Sequence, residues 1–149
     1  MYTFADKLLE VSEQHADRIA EQWCKAIKST PRAPWFQSMK HADCTGFALN
    51  FYKHFRNVYF DEKPYRTLEK FFASYAEESF RMGIPLEEAI YALVMMRRHL
   101  WLYADFQALF VTALDAHRAV ETLNRTIRVF DQGVYIIVRR YRELEKTKK

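Results

Sequence analysis

Apolar side chains follow one another at alternating steps of three and four residues near the end of the chain. A spacing of 3.5 residues held over more than three heptads is typical of a helix that packs along one edge on another helix. The pattern therefore predicts a long C-terminal helix over about residues 115–149. The row consists of Val120, Leu123, Ile127, Phe130, Val134, Ile137, Tyr141 and Leu144.

The composition agrees with a chain made of helices. The 149 residues suffice for one domain, and half of them are apolar, so a core can be filled. Only three glycines and four prolines occur, which is too few for the turns of a many-stranded sandwich or barrel. We expect one all-α domain over residues 1–149, with five helices in a bundle-like or globin-like arrangement.

Apolar periodicity and proline positions divide the rest of the chain. The predicted helices cover residues 3–28, 47–61, a segment after Pro64, and a segment that fades over 109–112. Asp115 is the predicted N-cap of the last helix. Residues 29–43 are predicted to be a loop with Trp35 and Phe36 on the core. The predicted inward face of the third helix is Leu68, Phe72, Tyr75 and Ser79.

A short segment, Arg81-Met82-Gly83-Ile84-Pro85-Leu86-Glu87-Glu88, predicts a tight corner between the third and fourth helices. Gly83 suits the left-handed position after a helix, and Pro85 suits the first position of the next one. Glu87 and Glu88 then fall in the first turn, where the helix dipole favours carboxylates.

The length of the last helix favours a homodimer over a purely internal helix. It would extend about 50 Å, whereas a compact chain of this size is only about 40 Å across. Residues 137–149 are therefore expected to project and to expose Ile137, Tyr141 and Leu144 unless a second copy covers them. Arg140 and Glu145 suit an interchain charge pair in a parallel dimer. Small residues would let another helix approach: Ala119, Thr126 and Gly133.

No arrangement of residues typical of an enzyme or a metal site is present in the sequence. The chain lacks a glycine-rich phosphate loop, a nucleophile elbow and the spacings of di-iron or zinc sites. Cys24 and Cys44 lie 20 positions apart without a Cys-x-x-Cys pair, so we expect buried free thiols in a reducing cytoplasm. The histidines without such spacing are His15, His41, His54, His99 and His117.

Arg97 occupies the apolar row of the fourth helix, between Val94 and Trp101. Arginine is seldom buried without a partner, so a pocket between the second, third and fourth helices could hold a carboxylate-bearing ligand near Arg97, Trp101 and Tyr75. The alternative is that the Arg97 stem packs on Trp101 and its guanidinium reaches solvent or Glu78. Haem is a second possible ligand, with His54 the better axial candidate, although ordinary packing explains such a histidine as well.

The net charge of +4 is concentrated in residues 139–149, and the rest of the chain is neutral. Nucleic-acid binding is therefore not expected, and binding of this tail to a membrane or nucleic acid would weaken steeply with salt. The sequence has neither a signal peptide nor an apolar stretch of about 18 residues. We expect a soluble, cytoplasmic protein without a membrane span.

The segment from Arg81 to Ile90, continuing to Arg97 and Trp101, resembles the N-terminal sensor domain of RsbRD type. This domain precedes the STAS domain in some RsbT co-antagonist (stressosome) proteins and precedes some bacterial histidine kinases. The segment 15–23 also resembles the first helix of that family. The resemblance implies a non-enzymatic, all-helical, globin-like, dimeric domain that carries no haem and signals through its last helix to a partner such as a kinase or STAS-domain protein. No ligand residues follow from it.

Overall fold

The computed structural model describes residues 4–106 and 113–147, in which it contains helices and no strand. The prediction of an all-α fold is confirmed. The elements are α1 (Phe4–Gln14), α2 (Ala16–Ser29), a 3-10 helix (Pro34–Ser38), α3 (His41–His54), α4 (Arg56–Tyr59), α5 (Arg66–Arg81), α6 (Leu86–Phe106) and α7 (Ala113–Thr147).

The described residues form seven α-helices because two predicted helices are each divided. The first is kinked at His15, where φ is −116° and ψ is 23°. Backbone hydrogen bonds continue through the kink, from His15 N to Val11 O and from Ile19 N to His15 O. The His15 ring packs on Tyr103 with 5.4 Å between the ring centroids. The second predicted helix begins early, at His41, and is interrupted for a single residue between α3 and α4.

Three buried aromatic side chains from different helices are bound to the backbone of α6. Their donors and carbonyl acceptors are Trp23 Nε1 and Ala92 (3.1 Å), Tyr52 Oη and Met96 (2.6 Å), and Tyr75 Oη and Ala89 (2.8 Å). Two of the three acceptors belong to alanines, whose short side chains leave room for the rings to reach the carbonyls. α2, α3 and α5 are thereby fixed to the same helix by satisfied polar groups.

The corner between α5 and α6 forms as predicted. Gly83 has φ of 86°, in the left-handed region that favours glycine. Its N–H donates to Phe80 O and the N–H of Ile84 donates to Ser79 O, which is the Schellman pattern. Pro85 is the N-cap of α6, one position before the predicted one, because its carbonyl already accepts from Ala89 N at 2.9 Å.

α5 and α7 run in the same direction along each other. Gly133 lies against Phe72, and Tyr141 packs on Phe80 with 5.5 Å between ring centroids. The contacting residues are eight positions apart in both helices, so the two chains advance together. The predicted inward face of α5, which includes Phe72, is buried throughout. α7 begins at Ala113, so Asp115 lies within the helix and is not its N-cap.

Candidate functional site

Three residues of the predicted dimer row are buried within one chain. Phe130 is 2% exposed, Ile137 is 0% exposed and Tyr141 is 2% exposed. The Tyr141 hydroxyl donates to the carbonyl of Ile84 at 2.9 Å. The prediction that residues 137–149 project and expose Ile137 and Tyr141 was therefore wrong. The heptad row has a partner helix, but that helix is α5 of the same chain.

The small and charged residues assigned to a dimer also face α5 or its neighbours. The ring of Phe72 lies directly over Gly133, so the close approach that glycine permits is made by α5. Arg140 pairs with Glu77 of α5, with Nε and Oε1 3.0 Å apart. Arg140 also contacts Glu143 on its own helix, at 3.3 Å. These contacts take the place of the predicted pair with Glu145.

The first two residues of the row are turned toward solvent instead. Val120 is 57% exposed and Leu123 is 40% exposed. An α-helix repeats every 3.6 residues, so a strict 3.5-residue row turns by about 20° per heptad and by roughly 70° from its first residue to its last. The inward positions here are occupied by Thr122 and Thr126. The Tyr59 hydroxyl lies 2.9 Å from the carbonyl oxygen of Thr122 and 3.0 Å from the hydroxyl oxygen of Thr126.

A third exposed apolar side chain lies on α6, which contacts α7. Leu102, four residues before the end of α6, is 52% exposed, and Val120 and Leu123 are the exposed residues of the row on α7. We call these three residues the α6–α7 surface. Ile127, Val134 and Leu144 of the predicted interface are partly buried. Residues 107–112, where the fourth helix was predicted to fade, and the side chain of Ala119 lie outside the described part.

Beyond Tyr141, α7 extends past the end of α5. Arg142, Glu143, Glu145 and Lys146 are exposed, and Leu144 is partly buried. The projecting end is thus residues 142–147 among those described, shorter and more polar than the predicted one. Of the predicted projecting end, this is the described part that extends beyond α5.

The predicted ligand pocket is divided between two places. A groove of about 560 Å³ runs between α3, α4 and α5, with Tyr75 and His54 among its lining residues. Arg97 and Trp101, on α6, do not line it. The floor of the groove is closed by aromatic contacts across it, and Phe51 and Phe71 have centroids 5.3 Å apart. Tyr75 and His54 therefore line a groove to which Arg97 and Trp101 do not contribute.

The groups proposed for that pocket have structural contacts. The Arg97 guanidinium carbon lies 6.0 Å from the centroid of the Phe130 ring on α7, a cation–π contact. The Tyr75 hydroxyl bonds to Ala89, and burial raises its pKa above the ordinary value. His54 is exposed, and its Nδ1 lies 2.8 Å from Asn50 O. The contacts of Arg97 and Tyr75 join separate helices, whereas that of His54 lies within α3.

The residues Gly83, Pro85 and Glu87 belong to the corner between α5 and α6, and the next residue, Glu88, makes a contact with a distant part of the chain. Glu88 is 6% exposed, and its Oε1 accepts a hydrogen bond of 2.7 Å from the backbone N–H of Trp35. The sequence interpretation gave Glu88 only a role in the helix dipole. No local pattern could have shown this contact, because the donor lies 53 positions earlier in the chain.

A cluster that the sequence interpretation missed lies between α2 and α3. Cys24 and Cys44 are free and buried, as predicted, and each is 0% exposed. Cys24 Sγ lies 3.7 Å from His41 Nδ1, and His41 Nε2 lies 3.0 Å from the Glu21 carboxylate. Cys44 follows His41 by three positions on the same helix and interacts electrostatically with Cys24. Sequence spacing hides this cluster because its four members come from two helices.

Within residues 4–106 and 113–147, no group of three or more His, Cys, Asp and Glu side chains is arranged to hold a metal ion. None of the helices described combines the length and the apolar character that crossing a bilayer requires.

Comparison of the chain with protein-family models, with curated proteins and with solved structures finds no match. The resemblance to the RsbRD-type sensor domain stays a prediction from the residues quoted above.

Proposed function

We propose that the chain is a dimeric, non-enzymatic signalling domain of RsbRD type, which acts in the bacterial cytoplasm on a separate kinase or STAS-domain protein. The observation that carries the proposal is the α6–α7 surface. Leu102, Val120 and Leu123 are exposed by 40 to 57% of their surface, although Phe130, Ile137 and Tyr141 farther along α7 are buried. Exposed large apolar side chains on two helices that contact each other are typical of an association surface.

The continuity of α7 supports a signalling role. It is a single helix of 35 residues that begins near this surface and ends in the exposed residues 142–147. Close contacts fix its middle to α5, through Gly133 and Tyr141. A stimulus that favours one of two packings of the helices would shift their populations and move the exposed end of α7. A partner protein could recognise that end.

The mass of the protein in solution tests the dimer. Light scattering should give twice the 17.9 kDa of one chain, and a double variant with Val120→Asp and Leu123→Asp should give a monomer with unchanged circular dichroism. Tyr135→Asp is the matched control, because Tyr135 is 61% exposed on the same helix but outside the α6–α7 surface. It should remain a dimer.

The variant Ile137→Asp separates the present interface from the one predicted by the heptad row. Ile137 is fully buried against the same chain, so a carboxylate there should reduce helicity and not simply release a monomer. A wild-type chain that is monomeric, or a folded Ile137→Asp monomer, would contradict the proposal.

Output is tested by two-hybrid pairing with kinases and STAS-domain proteins of the source bacterium. Charge reversal at Arg142 and Lys146 should abolish this pairing.

A second candidate function is the binding of a small apolar ligand in the groove between α3 and α5. The groove offers a volume of about 560 Å³ and an aromatic floor. It does not fit haem, because rings meet across the floor and the candidate axial ligand, His54, is exposed. A small molecule that co-purifies with the native protein and is lost in Ser74→Trp would support this function; Ser74 lines the groove.

A further inference from the structure

The contact between His41 and Glu21 shows which atom donates the hydrogen bond between Cys24 and His41. A carboxylate can only accept hydrogen bonds, so the His41 nitrogen that faces Glu21, Nε2, carries the proton of the neutral ring. The other nitrogen, Nδ1, is then an acceptor, and it lies 3.7 Å from the Cys24 sulfur. The thiol of Cys24 therefore donates to a base that a third group holds in place, which is the usual arrangement of an activated nucleophile.

The second thiol has a different environment. Burial raises the pKa of Cys44 far above its ordinary value, and the neighbouring Cys24 raises it further. The base His41 lies against the Cys24 sulfur. The pair is thus asymmetric: Cys24 has a base in contact with its sulfur, and burial keeps the neighbouring Cys44 thiol protonated.

The position of the cluster limits what can react there. His41 is the first residue of α3, and the side chains of His41 and Glu21 are 57% and 43% exposed. The Cys24 sulfur lies against the His41 ring, and neither cysteine has any exposed surface. A macromolecule or a bulky substrate cannot reach Cys24, whereas a small oxidant needs only a local opening at the start of α3.

We propose that Cys24 and Cys44 are an oxidisable dithiol, which a hydroperoxide converts into an intramolecular disulfide with His41 as the base for Cys24 and Glu21 as its positioning residue. This inference is independent of the proposed signalling function. The chain would then sense oxidants through a cross-link between α2 and α3, two helices that already pack on each other.

The proposed oxidation of the dithiol follows the usual chemistry of thiols and hydroperoxides. Cys24 passes its proton to His41 Nδ1, and its thiolate attacks one peroxide oxygen. An S–O bond forms, the O–O bond breaks, and the departing oxygen takes the proton from His41 to give an alcohol or water. Cys44 then attacks the sulfenic acid of Cys24. The S–S bond forms, the S–O bond breaks, and hydroxide leaves with the Cys44 proton as water, so that two thiols are oxidised and one hydroperoxide is reduced.

Intact mass spectrometry of the reduced, full-length protein tests the product. One equivalent of hydrogen peroxide should lower the mass by about 2 Da and should leave no thiol for alkylation after denaturation. Digestion should yield a peptide that joins residues 24 and 44. Two alkylated cysteines after treatment that oxidises free cysteine would overturn the proposal, as would a disulfide found only between two chains.

Variants test the assigned roles. In Cys44→Ala, dimedone should trap a sulfenic acid on Cys24, whereas Cys24→Ala should give no adduct on Cys44. His41→Gln should slow oxidation by at least about tenfold, the loss expected when a general base is removed. His54→Gln, an exposed histidine at the other end of α3, is the matched control and should react at the wild-type rate.

Two further outcomes would overturn the proposal. The first is a folded His41→Gln protein that oxidises as fast as the wild type, because the base would then have no role. The second is stoichiometric retention of zinc through both thiols, since the cluster would then be a metal site and not a peroxide-reactive pair.

Discussion

The ring of Phe72 occupies the place where a side chain at position 133 would stand. A Cβ built on Gly133 would lie 2.6 Å from Cε1 and 2.7 Å from Cζ of that ring. Phe72 is fully buried, and its ring also packs on Phe71 and Phe130. The parallel pairing of α5 and α7 therefore depends on the absence of a side chain at position 133.

Gly133→Ala should destabilise the protein although it places a better helix former in α7. Overpacking a filled core costs about 1–3 kcal/mol, and alanine regains about 1 kcal/mol of helix propensity. We expect a net loss of about 1 kcal/mol in the free energy of unfolding, measured by urea titration with circular dichroism. Gly46→Ala is the control, because position 46 is in a helix with nothing within 4 Å, and it should stabilise by about 0.5–1 kcal/mol. Stabilisation by both changes would refute this packing.

Glu88 should contribute more to stability than its neighbour Glu87. Glu88→Ala leaves the backbone N–H of Trp35 without its acceptor at a buried site, which should cost about 2 kcal/mol. Glu87→Ala, in the same first turn but exposed, should cost at most about 1 kcal/mol through the lost interaction with the helix dipole. Urea unfolding followed by tryptophan fluorescence measures both. Equal losses would mean that the contact with Trp35 contributes nothing.

The stability of the fold should decrease when the pH falls below about 6.5. Burial, and after it the positive charge of Arg98, lowers the pKa of His99 from its ordinary value of 6.5. The unfolded chain therefore binds a proton at a higher pH than the folded chain does. As the pH falls, the free energy of unfolding decreases until the pH passes below the folded pKa of His99. His99→Gln should flatten this part of the profile of unfolding free energy against pH. An identical slope in the variant would show that other groups cause it.

The local structure of the corner could be predicted from the sequence because its determinants are local. A glycine placed for a left-handed residue, a proline and two glutamates specify the end of α5 and the start of α6. The inward face of α5 could also be predicted, since four residues at helical spacing suffice to identify it. The contact from Glu88 to Trp35 could not, because nothing near either residue indicates the other.

The heptad row shows where the sequence is ambiguous. Its period predicts that α7 packs along one edge on another helix, as it does on α5, but a period does not say whether that helix belongs to the same chain. Estimating the body as a compact sphere made the end of α7 seem too long to be covered. α5 runs beside it as far as Tyr141, so the length argument did not apply.

The cysteine cluster and the groove could not be predicted for a related reason. Both depend on which side chains of separate helices meet, and sequence spacing gives only the face of each helix. Glu21 and Cys24 share a face of α2, and His41 and Cys44 share a face of α3. The pairing of those faces is set by the packing of α2 on α3 and α6.

The bond between Tyr141 and Ile84 sets a limit on how far the chain can be shortened. A truncated protein that stops before Tyr141 would lose the donor for that carbonyl and would uncover Phe80 at the turn between α5 and α6. One that stops just after it would keep both contacts and would lose, from residues 142–147, exposed side chains and the partly buried Leu144. The boundary between the part of α7 that the globule needs and the part left for a partner therefore falls within a continuous helix, where no break in secondary structure marks it.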